Sequence, residues 1–263
     1  MTWLQTVVLA IVQGLTEFLP ISSSGHLVLA PVFFGWPDQG LAFDVAVHFG
    51  TLAGVLGYFY RDLLGIGQAF FTRSPAESTE ARMGWLLIVA TVPVGLVGLL
   101  AHDWISTNLR SAAVIAISTA VFGIVLWLAD VFGSKRKEIQ ALTVKGAVLM
   151  GLAQAIALIP GTSRSGITMT AALALGLTRT AAAKFSFLMS VPVIVLAAGL
   201  ETKNLVASGL SVDWGPLITG AAVSGLVAYL TIRFFLKFVE GLGMAPFAWY
   251  RLALAAVIWF ALV

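Results

Sequence analysis

The sequence predicts an all-α polytopic membrane protein with six transmembrane helices and two re-entrant helix-turn-helix hairpins, arranged as an inverted-topology repeat. Of its 263 residues, 59% are hydrophobic and 10% are charged, whereas a soluble domain carries about a quarter charged residues. Apolar runs of roughly the 20 residues needed to cross a bilayer recur along the whole chain. Two apolar segments are interrupted by a proline and a serine-rich run. This composition excludes a soluble single-domain enzyme.

The first hairpin is predicted at the N-terminus. An apolar helix over residues 2–19 ends at Pro20, a polar run follows at 22–26, and a short apolar stretch covers 27–34. Neither half is long enough to cross the bilayer comfortably and return. The plainer interpretation is a kinked helix followed by an interfacial helix. We adopt the alternative, a re-entrant hairpin whose turn lies at membrane depth.

The second hairpin has the same pattern. A helix over 143–159 ends at Pro160, the polar run 161–166 follows, and a short helix covers 167–176. Between and after the hairpins, six full spans are predicted at 43–60, 84–101, 112–131, 182–199, 214–236 and 246–263.

The two hairpins also share residues at a constant spacing of 141 positions. The matching pairs are Gln13 with Gln154, Ser22 with Ser163, Ser24 with Ser165, and Gly25 with Gly166. Each half then holds one hairpin and three spans, and an odd number of spans inverts the second half relative to the first. We therefore expect a single membrane domain, 1–263, with repeat halves 1–131 and 143–263 joined by the loop 132–142.

The distribution of Lys and Arg predicts the orientation. Only Arg110 and Lys203 lie on the face where the first hairpin opens, and Arg164 lies inside the second turn. The opposite face receives twelve basic residues: Arg61, Arg73, Arg82, Lys135, Arg136, Lys137, Lys145, Arg179, Lys184, Arg233, Lys237 and Arg251. By the positive-inside rule, this second face and its loop 132–142 are cytoplasmic, and the first hairpin opens outward.

Glu17 and Arg164 are charged residues inside the hairpins, where charge is costly and usually functional. Gln13 and Glu17 are four residues apart and share a helix face. Arg164 brings a planar, permanently charged fork that suits phosphate oxygens. A carboxylate repels an anion unless a cation lies between them. We therefore expect a divalent metal, Mg²⁺ or Ca²⁺, held by Glu17, Gln13 and phosphate oxygens.

The helix after each turn is predicted to begin near the membrane midplane. Its N-terminus presents free N–H groups and the positive end of the helix dipole, which together bind anions. The residues that can cap these helices or line an anion site are Ser22, Ser23, Ser24, Gly25, Thr162, Ser163, Ser165 and Gly166. A pyrophosphate fits this description. Covalent phosphoryl transfer would further need a serine nucleophile, with His26 or Glu17 as its base.

Other residue types narrow the chemistry. The chain has no cysteine and three histidines, which excludes thiolate catalysis and argues against a His-rich zinc site. Basic residues lie in loops between apolar spans, so nothing supports nucleic-acid binding. Asp44 and His48, four residues apart at the start of a span, are interpreted as helix-start and interfacial residues. No Lys or Arg precedes Arg61, so we expect residues 1–20 to belong to the mature fold.

At this point the two motifs resemble the signatures of a known family. Residues 13–26, QGLTEFLPISSSGH, closely resemble the first signature of the bacterial undecaprenyl-pyrophosphate phosphatases of the bacitracin-resistance type. Residues 160–166, PGTSRSG, look like the second. The length, the span pattern and the segment 43–51 are also similar, so the resemblance covers essentially the whole chain.

The resemblance implies hydrolysis of a polyprenyl pyrophosphate in the bacterial inner membrane, dependence on a divalent metal, and a site that opens to the outer face. The reaction would recycle the lipid carrier of cell-wall synthesis and give bacitracin resistance. The family's acidic pair maps to Gln13 and Glu17, its Ser and His to Ser23 and His26, and its Arg to Arg164. Many members carry Glu where this chain has Gln13, so Glu17 would be the only carboxylate ligand that this pair offers a metal.

Alternatives remain at this stage. Inverted repeats with broken helices also suit a secondary transporter or a polyprenyl-phosphate flippase, which needs anion affinity but no nucleophile. A non-enzymatic resistance protein would need only the anion site, and a channel has too few polar residues to line its pore. Ser23, His26 or a metal-bound water can be the nucleophile. The Gly-rich spans 84–101 and 215–225 can pack against a second copy, so a homodimer is possible.

Overall fold

A computed structural model describes residues 1–208 and 213–263 and confirms the all-helical class. In these two ranges it contains eleven α-helices, one short 3-10 helix and no strand. The predicted second half includes residues 209–212, which lie outside the described residues. The helices are α1 Trp3–Thr16, α2 Ser23–Phe34, α3 Gly40–Tyr58, α4 Tyr60–Thr72, α5 Thr79–Asn108, α6 Ala112–Phe132, the 3-10 turn Ile139–Ala141, α7 Val144–Ile156, α8 Arg164–Ala174, α9 Arg179–Ser208, α10 Trp214–Leu242 and α11 Ala245–Leu262.

The six predicted spans are confirmed. Among the described residues, six helices are long and apolar enough to cross a membrane, and they are α3, α5, α6, α9, α10 and α11. Their apolar stretches run from 18 to 29 residues, which matches the thickness of the hydrocarbon core. The chain is therefore built as a multi-pass membrane protein.

The hairpin helices are too short to span a bilayer. They contain 14, 12, 13 and 11 residues in α1, α2, α7 and α8. Helices α1 and α7 end at Thr16 and Ile156, three residues before the predicted ends. Each end lies four residues before a proline, whose ring clashes with the carbonyl at that position and stops the helix. The re-entrant path of these segments stays a prediction.

Helices from the two predicted halves pack against each other. Helix α1 lies on α10, and α7 lies on α5, so the first helix of each hairpin contacts the second span of the other half. Helix α3 also packs on α10, and α6 on α11. This exchange is what an inverted repeat would produce, and the division into halves stays a prediction.

Small residues allow the closest of these helix contacts. A Cβ on Gly225 of α10 would lie 2.8 Å from the carbonyl oxygen of Gly50 in α3, and one on Gly220 would lie 2.7 Å from the Phe43 ring. Small residues commonly permit such close backbone approach in membranes. The Gly-rich segment 215–225 is thus used inside the chain, which removes part of the sequence argument for a homodimer.

Candidate active site

The two serine-rich turns have the same backbone geometry. Ser22 and Ser163 both have positive φ angles, 71° and 69°, which is unusual for a residue with a side chain. Ser22 Oγ lies 3.2 Å from Ser24 Oγ, and Ser163 Oγ lies 3.2 Å from Ser165 Oγ. The 141-residue spacing seen in the sequence therefore corresponds to matched local structures.

The two turns also contact each other directly. Ser165 Oγ donates a hydrogen bond to the Leu19 carbonyl (2.9 Å), and the Gly161 backbone N–H donates to Ser24 Oγ (3.4 Å). Because Ser24 and Ser165 occupy equivalent positions, each hairpin reaches into the turn of the other. The site is thus assembled from both ends of the chain.

Helix α6 supports the second turn. Ser118 Oγ donates to the Pro160 carbonyl, and Thr119 Oγ1 donates to the Gly161 carbonyl (3.2 Å). Gly161 has a φ of 89°, and a Cβ there would lie 2.2 Å from Ser118 Oγ. Only glycine fits this position, because both the backbone angle and the space exclude a side chain.

Arg251 of α11 donates hydrogen bonds to backbone carbonyls of both turns. Its Nη2 donates to the carbonyls of Gly161 (3.0 Å) and Thr162 (2.8 Å), and its Nη1 donates to the Pro20 carbonyl (3.5 Å). Its side chain is fully buried. The prediction that Arg251 lies on the cytoplasmic face is wrong. The residue lies in the second turn of α11 and faces the protein interior, which leaves eleven basic residues on that face.

Glu17 is the centre of the polar contacts between the hairpins. Arg164 Nη2 donates to its Oε1 at 2.7 Å, while Ser23 Oγ and Gln13 Nε2 each donate to its Oε2 at 3.0 Å. The Glu17 and Arg164 side chains are only 9% and 13% exposed. A buried ion pair is tolerated when further hydrogen bonds satisfy its oxygens, and Glu17 has them.

Ser23 and Arg164 are themselves a matched pair. They are the first residues of α2 and α8 and lie 141 positions apart. Each therefore projects from the N-terminus of its hairpin helix toward the same carboxylate, and they bond its two different oxygens. The equivalent position thus carries a hydroxyl at the start of α2 and a guanidinium at the start of α8.

A cavity of about 460 Å³ adjoins these groups. Its lining includes Glu17 and Ser23, together with four predicted phosphate-binding residues, Ser22, Ser24, Ser163 and Arg164. The other four predicted phosphate ligands, Gly25, Thr162, Ser165 and Gly166, lie outside the lining. Three of them make contacts within the turns: the Thr162 carbonyl accepts from Arg251, and Ser165 Oγ donates to the Leu19 carbonyl. The Gly166 N–H donates to Ser163 Oγ at 3.2 Å, so Ser163 caps α8, as predicted.

His26 faces away from the carboxylate. Its Nδ1 lies 2.7 Å from the Ser22 carbonyl, and its Nε2 lies 2.6 Å from the Tyr250 hydroxyl. The His26 and Tyr250 rings are stacked at 5.6 Å. Both ring nitrogens therefore have partners other than Glu17, and the geometry joins Ser23, rather than His26, to Glu17.

The cavity contains residues that the sequence analysis did not assign to the site. Asp44 and His48 are the fifth and ninth residues of α3 and so lie beyond its first turn, not at the helix start. Both line the cavity, and His48 Nε2 is 3.8 Å from Glu17 Oε2. The further lining residues with polar side chains include Arg110, Gln154 and Glu201. The four-residue spacing of Asp44 and His48 was the available signal, since it places both on one helix face.

The donor set near Glu17 suits a divalent metal. Within the two described ranges, no group of three or more His, Asp or Glu side chains is arranged to hold an ion. However, Gln13 Oε1 is buried without a hydrogen-bond partner among these residues, and it lies beside the Glu17 carboxylate. Hard oxygen donors of this kind, completed by phosphate oxygens, are what Mg²⁺ and Ca²⁺ prefer. The residues therefore fit the predicted metal.

Comparison with known proteins gives one consistent result. The family model described as "Bacitracin resistance protein BacA" matches residues 6–257. Similar chains include the "Undecaprenyl-diphosphatase" of Alcanivorax borkumensis, 53% identical over 262 residues with 99% of both chains covered, and that of Chromohalobacter salexigens, 51% identical with 98% of both covered. The "Undecaprenyl-diphosphatase 2" of Stutzerimonas stutzeri is 51% identical, with 98% of this chain and 97% of that protein covered.

Proposed function

Since this chain belongs to the family of the bacitracin resistance protein BacA, we propose that it hydrolyses undecaprenyl diphosphate to undecaprenyl phosphate and inorganic phosphate. It is a membrane phosphatase, like the full-length relatives named undecaprenyl-diphosphatase. The observation that carries the proposal is the meeting of Ser23, Glu17 and Arg164 beside one cavity. The reaction would recycle the lipid carrier of cell-wall synthesis, and the family name fits a link to bacitracin resistance.

Ser23 is the proposed nucleophile and Glu17 its base. The Ser23 hydroxyl already donates to Glu17 Oε2 at 3.0 Å, which is within reach for proton transfer. As Ser23 Oγ bonds to the terminal phosphorus, its proton passes to Glu17 and the bond between phosphorus and the bridging oxygen breaks. Undecaprenyl phosphate leaves. The oxygen of a water molecule then bonds to the phosphorus, the bond between phosphorus and Ser23 Oγ breaks, and Glu17 returns its proton to Oγ. Inorganic phosphate leaves with the oxygen and the protons of the water, and the serine is regenerated.

Arg164 and the two helix N-termini are proposed to bind the diphosphate. One amino group of Arg164 bonds Glu17, and the other, Nη1, is buried with no hydrogen-bond partner among the described residues. That free half is available to a phosphate oxygen. Helices α2 and α8 begin at Ser23 and Arg164. The free N–H groups of their N-termini would therefore add positive potential beside the cavity.

Gln13 and Glu17 are proposed to hold the divalent metal, Mg²⁺ or Ca²⁺, together with substrate oxygens. When bound, the metal would neutralise negative charge that develops on the transferred phosphoryl group. The carbonyl oxygen of Gln13 replaces the carboxylate of many relatives, so Glu17 would provide the only protein carboxylate of this pair. Removal of the metal is therefore expected to abolish turnover.

The cavity is proposed to open to the periplasmic face of the inner membrane. Its lining includes Arg110, which follows α5, and Glu201 near the end of α9. These ends lie on the membrane face with few basic residues, which the positive-inside rule assigns to the outside. The substrate's polyprenyl tail would remain in the surrounding lipid.

The test is phosphate release from undecaprenyl diphosphate by the purified, detergent-solubilised protein, with and without EDTA. Ser23→Ala is compared with the control Ser190→Ala, since Ser190 lies outside the cavity lining and its hydroxyl donates within α9 to the Phe187 carbonyl (2.6 Å). We expect metal-dependent release that disappears in Ser23→Ala and persists in the control. No release from folded wild-type protein would contradict the proposal and favour the flippase, which transport assays in vesicles would then examine.

A further inference from the structure

We propose that Gln154 binds a phosphate oxygen of the diphosphate and forms, with the free amino group of Arg164, a phosphate subsite on the second hairpin. This inference rests on the proposed function and adds a residue that the sequence motifs of the site do not contain.

Gln154 is a fully buried polar side chain that lines the cavity. It lies near the end of α7, and its exposed fraction is 0%. Neither Nε2 nor Oε1 has a hydrogen-bond partner among the described residues. Ala157 and Leu158, three and four positions further on, also line the cavity. One face of the α7 end therefore points into it.

The repeat explains why this carboxamide is unpaired. The equivalent residue, Gln13, donates from Nε2 to Glu17, four residues later, at 3.0 Å. The position equivalent to Glu17 in the second hairpin is Leu158, which offers no acceptor. Gln154 thus has the same amide as Gln13, but it has no nearby carboxylate in the position of Glu17 to accept its hydrogen bond.

An unsatisfied buried amide is unfavourable unless a ligand completes it. Gln154 Nε2 is a donor, and Arg164 Nη1 is a second donor that is buried without a partner among the described residues. Both residues line the same cavity. Two N–H donors beside the N-terminus of α8 are complementary to an anion with several oxygens, which is the chemistry of a diphosphate or an inorganic phosphate.

In this proposal the two hairpins have different roles in the reaction. The first hairpin carries the reacting groups, Ser23 and Glu17, and the second carries the donors that hold the phosphates, Gln154 and Arg164. Loss of Gln154 should therefore weaken substrate binding while leaving the Ser23–Glu17 contact in place. The effect should fall mainly on KM.

The experiment uses the full chain in detergent with Gln154→Met and Gln154→Glu. Methionine has a similar size and favours helices, so it removes the polar atoms without opening a cavity. The matched control is Thr231→Val in α10, whose hydroxyl is buried but bonds the Val227 carbonyl (2.8 Å). Three quantities are measured: kcat and KM with undecaprenyl diphosphate, the unfolding temperature, and its shift on adding inorganic pyrophosphate or phosphate without lipid.

For Gln154→Met, we expect kcat/KM to fall about tenfold to a hundredfold, mainly through a higher KM, as for loss of a hydrogen bond to a charged group. The unfolding temperature should stay equal or rise, because an unsatisfied polar group has been removed. The shift caused by inorganic pyrophosphate should shrink. Gln154→Glu should lose more activity, since a carboxylate repels phosphate, and Thr231→Val should bind and turn over like wild type.

Unchanged kcat/KM and an unchanged pyrophosphate shift in Gln154→Met would overturn the subsite. A lower unfolding temperature with normal KM would also overturn it, by showing a structural role. If the wild type releases no phosphate but still shows a pyrophosphate shift that Gln154→Met lacks, the phosphatase proposal fails while the subsite stands. A pyrophosphate shift without a phosphate shift would assign the subsite to the diphosphate rather than to the product.

Discussion

At the scale of single residues, the site depends on how Glu17 is satisfied. Three residues donate to its carboxylate, and Arg164, one of them, comes from a position 147 residues away. In a low-dielectric interior, such an ion pair is stable only while both partners are present. Substitutions here should therefore separate the roles of charge, geometry and metal.

Arg164→Lys keeps the charge but loses the planar fork. Lysine cannot bond Glu17 and a phosphate through two fixed amino groups, so we expect kcat/KM to fall about tenfold to a hundredfold. The matched control is Arg179→Lys, since Arg179 forms a two-point pair with Asp130 (2.6 and 3.0 Å) outside the cavity. The control should lose stability and keep its activity per folded molecule. Near-normal kcat/KM in Arg164→Lys would remove the phosphate-binding role.

Glu17→Gln removes the proposed base and the only carboxylate of the metal pair. We expect turnover to be lost, and residual activity should no longer respond to added Mg²⁺ or Ca²⁺. The control Glu240→Gln changes a carboxylate that accepts from Thr180 at the start of α9, and it should retain metal-stimulated release. Metal-stimulated activity in Glu17→Gln would mean that the metal is held elsewhere.

At the scale of elements, the hairpins are defined by how their helices end and begin. Proline stops α1 and α7, and a serine with positive φ precedes α2 and α8. At Ser163, the side chain also caps α8 through the Gly166 N–H. Local chemistry therefore sets where each N-terminus points, and the anion site depends on that direction.

The two functions of Ser163, its backbone angle and its cap, can be separated. Ser163→Ala loses the cap and keeps an unfavourable positive φ, at a cost of about 0.5–2 kcal/mol for the cap alone. Ser163→Gly also loses the cap, but glycine adopts the angle freely and replaces a serine cap at a few tenths of a kcal/mol. We expect the alanine variant to unfold at the lower temperature in detergent. The opposite order would show that neither the cap nor the backbone angle at Ser163 sets the stability of the turn.

At the scale of the whole molecule, packing between helices from the two ends of the chain brings the turns together. Helix α1 packs on α10 and α7 on α5, while Arg251 binds both turns from the interior. With Arg251 removed from the loops, eleven basic residues still face two across the membrane. The orientation is thus predicted by the remaining charges.

Because the chain contains no cysteine, single-cysteine variants can test this orientation. Arg136→Cys places a thiol on an exposed residue of the loop 132–142, and Lys203→Cys places one on an exposed residue at the end of α9. In intact cells, an impermeant thiol reagent should label Lys203→Cys only, and Arg136→Cys should be labelled after the membrane is opened. Labelling of Arg136→Cys in intact cells would reverse the orientation.

The sequence by itself determined the helical class, the six spans, the proline breaks and the Ser163 cap of α8, because these depend on composition, periodicity and neighbouring residues. It also identified Gln13, Glu17, Ser23 and Arg164 as candidates through two short motifs. Only the tertiary structure decided that Arg164 and Ser23 bond opposite oxygens of Glu17, and that His26 turns toward Tyr250. It likewise placed Gln154 in the cavity and Arg251 in the interior. These contacts join residues far apart in the chain, and helix packing sets them, which no local pattern encodes.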